Sequence, residues 1–212
     1  MLKYYFRLAV YVFVATAFGP ASADAYLDFF RAIDIDDVRT VKGLLARGFD
    51  PNSPNEKGQP ALYVALRDEA PRVAAALLAH PDLKVDATTA ANETPLMMAA
   101  LKGDVAWTQR LIERGGQINR PGWTPLHYAA SGPEPKVVAL LLDRGAAIDA
   151  LSPNRSTPLM MAAGYGDQQS ADLLLLRGAD PRLRNDVELA AADFARNAGR
   201  DALAAKLAQA AR

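Results

Sequence analysis

The sequence predicts an all-α fold, built from six repeated helix–turn–helix units that are joined by β-hairpin fingers. Three observations lead to this prediction: a seven-residue motif recurs in register, a glycine follows each copy at a fixed distance, and a leucine-rich run precedes each glycine. The three clearest copies of the motif begin at Thr94, Thr124 and Thr157. A regular spacing of this size indicates stacked repeats, in which each unit buries its apolar face only against its neighbours.

The residues of the motif explain why each unit should contain two helices. Proline at the second position suits the first turn of a helix, where its missing N–H is not needed, and the preceding threonine is a good N-cap. A glycine stands at the same offset from each threonine, at Gly115, Gly145 and Gly178. Glycine ends a helix easily because it adopts the left-handed conformation. The pattern therefore predicts a helix, a tight turn, a second helix and then an extended finger.

Weaker copies of the motif continue the period in both directions, at residues 27–32 and 60–65 upstream and at residues 190–195 downstream. The predicted units cover about residues 25–57, 58–91, 92–121, 122–154, 155–187 and 188–212. The finger between the third and fourth units, Gly116 to Trp123, is three residues shorter than the finger that follows it.

Residues 1–23 have the pattern of a secretory signal peptide. Lys3 and Arg7 precede an apolar stretch from Leu8 to Phe18, and residues 21–23, Ala-Ser-Ala, suit signal peptidase. We expect cleavage after Ala23 and a periplasmic or secreted product with 22 basic and 24 acidic residues. The alternative is a retained membrane anchor, for which the apolar stretch is short because a span needs about 20 residues.

The composition argues against several classes of function. The 24 basic and 24 acidic residues give no broad positive surface for nucleic acid, and the absence of cysteine excludes disulfides and thiolate chemistry. His80 and His127 fall in different units, so they do not predict a metal site. The acidic run at residues 34–37 lacks the glycine and glutamate of a calcium loop, and residues 164–166 lack the third glycine of a nucleotide loop. We therefore expect no enzyme activity, no cofactor and no metal.

Residues 124–129, Thr-Pro-Leu-His-Tyr-Ala, resemble the Thr-Pro-Leu-His-x-Ala motif of the ankyrin repeat, and the spacing of the motif copies is similar to the period of that family. The resemblance spans about residues 25–212. It implies a solenoid that binds a partner protein on a concave side built from the fingers and the first helix of each unit. We also expect a monomer, and from the balanced charge no binding to nucleic acid. The resemblance also implies a structural role for His127, and no membrane span is expected after signal cleavage.

These positions define a candidate partner-binding surface. Its residues stand just before the motif, at its fifth position, or just after its alanine pair. They are Glu93, Met98, Lys102, Trp123, Tyr128, Met161 and Tyr165. Exposed aromatic side chains contribute strongly to interfaces, although Trp123 could instead only pack over the shortened finger. In each methionine pair we expect the second residue, Met98 or Met161, to border this surface.

Three other functions remain open from the sequence. The protein could bind a small ligand in a hidden pocket, which would require convergent polar groups. It could protect the cell envelope under stress, which a deletion phenotype without a recoverable complex would indicate. It could also be a released effector, which would be found in the culture medium.

Overall fold

The computed structural model describes residues 20–212, so the charged and apolar parts of the predicted signal peptide lie outside the described residues. Within this range there are twelve α-helices and no β-strand. The helices are α1 (Pro20–Asp34), α2 (Val38–Ala46), α3 (Ala61–Arg67), α4 (Pro71–Leu78), α5 (Pro95–Lys102), α6 (Val105–Glu113), α7 (Pro125–Ser131), α8 (Pro135–Asp143), α9 (Pro158–Gly164), α10 (Gln168–Leu176), α11 (Ala191–Asn197) and α12 (Asp201–Ala210). The predicted all-α repeat fold is confirmed.

The fingers between successive helix pairs are tight turns, not paired strands. Along residues 20–212 they contain one isolated antiparallel bridge, between Pro54 and Pro60. Four fingers close with the same bond, in which a backbone N–H donates to the carbonyl four residues ahead at 2.8–3.1 Å. The donors are Asn55, Thr89, Ser152 and Asn185, and the side-chain oxygen of each also accepts a backbone N–H inside its turn. A finger closed across four residues is too short to form a strand ladder.

The chain divides into two compact units, Met1–Pro95 and Leu96–Arg212. In unit 1, α1 packs against α2 and α3, and α2 packs against α4. Each of these helices contributes fully buried apolar side chains to the hydrophobic core of unit 1. They include Phe29, Val41, Leu62 and Leu77. Burial of such side chains provides most of the stability of the unit.

In unit 2 the first helix of each pair packs against the first helix of the next, so that α7, α9 and α11 are consecutive neighbours. We call α5, α7, α9 and α11 the inner helices and α6, α8, α10 and α12 the outer helices. Buried alanines, such as Ala130 and Ala163, keep the packed faces thin. The backbone also approaches closely at Gly166, where a Cβ atom would stand 1.8 Å from the carbonyl oxygen of Ala130. This position therefore requires glycine for steric reasons.

Most outer helices begin with an acidic N-cap, and the last one does not. Asp104, Glu134 and Asp167 each accept a backbone N–H in the first turn of the helix that follows. At the same position before α12 stands Arg200, whose guanidinium donates to the carbonyl oxygens of Ala162 and Gly166, at 2.9 and 2.6 Å, and to that of Ala163. Arg200 therefore satisfies carbonyls at the C-terminus of α9, where a positive charge is favourable.

Candidate protein-binding surface

The motif histidine, His127, is a buried structural residue. Its Nδ1 accepts the backbone N–H of Thr124 at 3.2 Å and lies 2.8 Å from the Thr124 hydroxyl, while its Nε2 lies 3.0 Å from the carbonyl oxygen of Ser156. Because Nδ1 accepts, Nε2 carries the proton and donates to Ser156, which is the neutral form of the ring. Burial lowers the pKa of His127 against the opposing effect of hydrogen bonds to the Ser156 and Ala150 backbone. The ring thus ties the start of α7 to the residue that precedes the next motif.

Trp123 is partly exposed and packs edge-on against this histidine. The two ring centroids are 5.3 Å apart and the ring planes meet at 81°. The shortened finger places the indole there, since Trp123 immediately precedes the N-cap Thr124. The indole therefore has a packing role beside His127, and part of its surface remains exposed to solvent.

Tyr128 and Met161 occupy equivalent positions on α7 and α9, and both are partly exposed while packing against the core of unit 2. Met98 has the same position on α5 but is buried, with only 7% of its surface exposed. Met98 is therefore buried, contrary to the expectation that it borders the surface, whereas Met161 is partly exposed. Methionine fills irregular gaps because its side chain is unbranched and flexible.

Tyr165 and Lys102 also occupy equivalent positions, eight residues after the threonine of their motifs, and both are exposed. Tyr165 follows the last residue of α9 and exposes 68% of its surface. The residues on either side of Tyr165 have packing roles: a Cβ on Gly164 would stand 3.2 Å from the Phe194 ring, and Gly166 lies against Ala130. Residues 164–166 are therefore a helix end that presents one aromatic side chain, not a phosphate loop.

Glu93 belongs to unit 1, whereas the other six candidate residues belong to unit 2. Its carboxylate accepts the Tyr63 hydroxyl at 2.8 Å and the Thr89 hydroxyl at 3.3 Å. Glu93 is half-buried and ends the finger turn that Thr89 begins. Its carboxylate thus links α3 to this finger.

Two features of the surface were missed at the level of the sequence. Leu151 and Val187 lie on the fingers before α9 and α11 and are exposed by 40% and 69%. The two fingers are linked at their tips by a bond from the backbone N–H of Asp186 to the carbonyl oxygen of Asn154, at 3.1 Å. The second feature is that residues 121–133 and 156–166, which contain α7 and α9, include no Asp, Glu, Lys or Arg. This absence of charge is visible in the sequence once α7 and α9 are known to be neighbours.

The acidic run at residues 34–37 has helix-capping roles. Asp37 accepts the backbone N–H groups of Arg39 and Thr40 at the start of α2, and its pKa is lowered first by the Thr40 hydroxyl. Asp36 accepts the backbone N–H of Val73 at 2.8 Å at the start of α4 and pairs with Arg72. Among the described residues, no group of three or more His, Cys, Asp or Glu side chains could hold a metal ion. No helix between residues 20 and 212 has the length and apolar character needed to cross a membrane.

Repeated helix pairs joined by tight fingers define the class of helical-repeat proteins. A family model described as "Ankyrin repeats (3 copies)" matches residues 29–121 and again residues 108–185. The chain therefore belongs to the ankyrin-repeat family. This membership indicates a protein–protein interaction module, and no catalytic family is indicated.

Curated relatives are similar to part of the chain. The chicken (Gallus gallus) nuclear factor NF-kappa-B p105 subunit is 27% identical over 161 residues, which are 73% of this chain and 16% of that protein. An ankyrin repeat, SAM and basic leucine zipper domain-containing protein 1 from Atelerix albiventris is 39% identical over 100 residues, which are 43% of this chain and 21% of the relative. The chain thus spans about a fifth or less of the length of these relatives.

A solved structure has the same fold over most of the chain. It is a chain in the complex of the Bd0816 predatory endopeptidase from Bdellovibrio bacteriovorus with immunity protein Bd3460. The similarity has a TM-score of 0.73 at 24% identity, and it covers 86% of this chain and 97% of that one. At this level of identity the similarity establishes the fold.

Proposed function

We propose that the chain is an exported, non-enzymatic module that binds a partner protein through the finger and inner-helix surface of unit 2. The observation that carries the proposal is the series of partly exposed large side chains on neighbouring inner helices: Tyr128 on α7, and Met161 and Tyr165 on and after α9. The two tyrosines combine a large apolar area with few rotatable bonds, which is why aromatic residues often dominate binding energy. Membership of the ankyrin-repeat family supports a protein as the partner.

Position-specific photo-crosslinking tests this surface in the cell of origin. A photo-reactive amino acid replaces Tyr128 or Tyr165 in the tagged full chain, and Leu176 serves as the matched control because it is exposed by 82% on the outer helix α10. We expect the same protein to be cross-linked from residues 128 and 165 and not from residue 176. Equal capture from all three positions would show that this surface is not the binding surface. No protein adduct from any position would argue against a protein-binding role.

Export to the periplasm is the other part of the proposal, and its support is the signal-like pattern of residues 1–23. Alkaline phosphatase, which is active outside the cytoplasm, is fused to the C-terminus of the full chain and of a variant that lacks residues 2–23. We expect activity from the full chain alone, and an intact mass for the untagged exported protein that begins at Asp24. A mass that still includes residues 1–23 would indicate a retained anchor, and an inactive full-length fusion would contradict export.

A second candidate function is inhibition of an exported peptidase. The observation that favours it is the fold similarity to a chain of the endopeptidase–immunity protein complex, which covers 97% of that chain. The full chain is added to a periplasmic extract of its own cell, and the hydrolysis of peptide substrates by that extract is measured. This candidate predicts inhibition that saturates at a fixed molar ratio and weakens with Tyr165→Ser. Unchanged hydrolysis at excess protein would rule it out.

A further inference from the structure

We infer that the partner segment that contacts α7 and α9 is uncharged and carries at least one large aliphatic or aromatic side chain. This inference rests on the proposed protein-binding function and adds the chemistry of the partner. It concerns a surface that we call the neutral face, defined by Trp123, Tyr128, Met161, Tyr165 and Leu151.

The first argument is the distribution of charge. Residues 121–133 and 156–166 contain no charged side chain, whereas the inner helices on either side do: α5 ends at Lys102, and α11 contains Asp193 and Arg196. A charged partner side chain over α7 and α9 would lose water without gaining an opposite charge, which is costly. An uncharged apolar segment has no strongly bound hydration water to lose, so it can bind the neutral face without this cost.

The second argument comes from the charges that border the neutral face, because several are already paired within the chain. Arg196 contacts Asp193 at 2.7 Å on α11, and Arg155 on the preceding finger lies 3.9 Å from Asp186 on the next finger. Because charges that are already paired attract a charged ligand only weakly, the residues that border the neutral face also give no advantage to a strongly charged partner.

The third argument is the position of the exposed apolar side chains. In unit 2 the described apolar side chains with the largest exposure are Leu101, Leu151, Tyr165, Leu176 and Val187. All but Leu176 lie on inner helices, directly after them or on fingers. At the position of Tyr165, the helices α3 and α5 have Asp68 and Lys102 instead. The apolar character is therefore concentrated where α9 and its fingers meet solvent, which is typical of interaction sites.

A random-peptide phage library, selected on the immobilised full chain, tests this inference. We expect enriched peptides with a large aliphatic or aromatic residue and no charge in the central positions. For a synthetic peptide of the enriched sequence, Tyr165→Ser should raise the dissociation constant about ten-fold, as loss of an aromatic interface anchor typically does. The matched variant Leu176→Ser, which removes an exposed leucine from the outer helix α10, should leave the constant unchanged.

Other outcomes would overturn the inference. An enriched sequence that is acidic or basic would show that the chemistry of the partner is different, as would an affinity that Tyr165→Ser does not change. Failure to enrich any peptide would also refute a short uncharged segment as the ligand. None of these outcomes affects the photo-crosslinking test, which detects a protein partner of any chemistry. Failure of this inference is therefore distinguishable from failure of the proposed function.

Discussion

Replacement of Gly166 by alanine should destabilise unit 2 severely, because no space exists for a methyl group. The added Cβ would stand 1.8 Å from the carbonyl oxygen of Ala130 and 2.9 Å from its carbonyl carbon. A comfortable carbon–oxygen contact is about 3.3 Å, so the backbone at Gly166, just after α9, would have to move away from Ala130 on α7 by roughly 1.5 Å. Overpacking of this kind costs about 1–3 kcal/mol or more. The shift would also disturb the charged hydrogen bond from Arg200 to the Gly166 carbonyl, worth about 1.5–3 kcal/mol. The expected loss is therefore about 2.5–6 kcal/mol.

Gly43 provides the matched control, because it lies inside the helix α2 and an added Cβ there meets nothing within 4 Å. Gly43→Ala should raise the free energy of unfolding by about 0.5–1 kcal/mol, since alanine favours a helix interior. The assay is urea unfolding followed by circular dichroism and by tryptophan fluorescence, which reports on unit 2 because both tryptophans, Trp107 and Trp123, belong to it. A Gly166→Ala midpoint equal to that of the parent chain would refute the close approach of Gly166 to Ala130 on α7.

Three further predictions concern the polar groups of unit 2. Arg200→Met keeps an apolar stem but removes the hydrogen bonds to the end of α9, and it should lower the urea midpoint by the equivalent of about 1–3 kcal/mol. Burial, together with the charge of Asp180, raises the pKa of Asp149, which means that the ionised carboxylate destabilises the folded chain at pH 7. Asp149→Asn should therefore raise Tm at pH 7. This gain should vanish below pH 3.8, where the parent carboxyl is neutral in the folded and the unfolded chain. Asn119, at the equivalent position of an earlier finger, shows that an amide fits, because it donates to the Gly145 carbonyl and accepts from a backbone N–H. Burial lowers the pKa of His127, so as the pH falls the unfolded chain binds a proton on this histidine before the folded chain does. The contribution of His127 to the free energy of unfolding should therefore be at its maximum above pH 6.5. Below pH 6.5 the free energy of unfolding should fall by up to about 1.4 kcal/mol for each pH unit. Urea unfolding from pH 7.5 to 5 measures this slope, which His127→Gln should abolish and His80→Gln should not.

The elements that depend on local sequence were predictable. Proline at the start of α5, α7 and α9 and acidic caps before the outer helices act within one helical turn, so their effect can be read from neighbouring residues. The structural role of His127 was expected from the ankyrin resemblance, and its bond to Ser156 joins positions in successive repeats.

The parts that were not predictable depend on contacts between repeats. The guanidinium of Arg200 reaches carbonyls of the preceding repeat, and backbone carbonyls leave no signal in a side-chain pattern. Glu93 was assigned to a binding surface because it stands just before the motif, whereas the hydrogen bond that its carboxylate accepts from Tyr63, one repeat earlier, depends on how the two repeats pack. Met98 was placed at the surface by analogy with Met161, yet burial depends on what the neighbouring repeat places over each position.

Contacts between repeats also decide at which residue a substitution can report on binding alone. Trp123 rests on the His127 ring, and that ring bonds to the Ser156 carbonyl, so substitution of the tryptophan would also change the packing of α7. Tyr128 and Met161 pack against the core and have the same difficulty. Tyr165 is different, because 68% of its surface is exposed and it follows the last residue of α9. A change in affinity on Tyr165→Ser without a change in Tm would therefore be attributable to the partner contact, whereas loss of affinity with Trp123→Ala alone would not separate binding from folding.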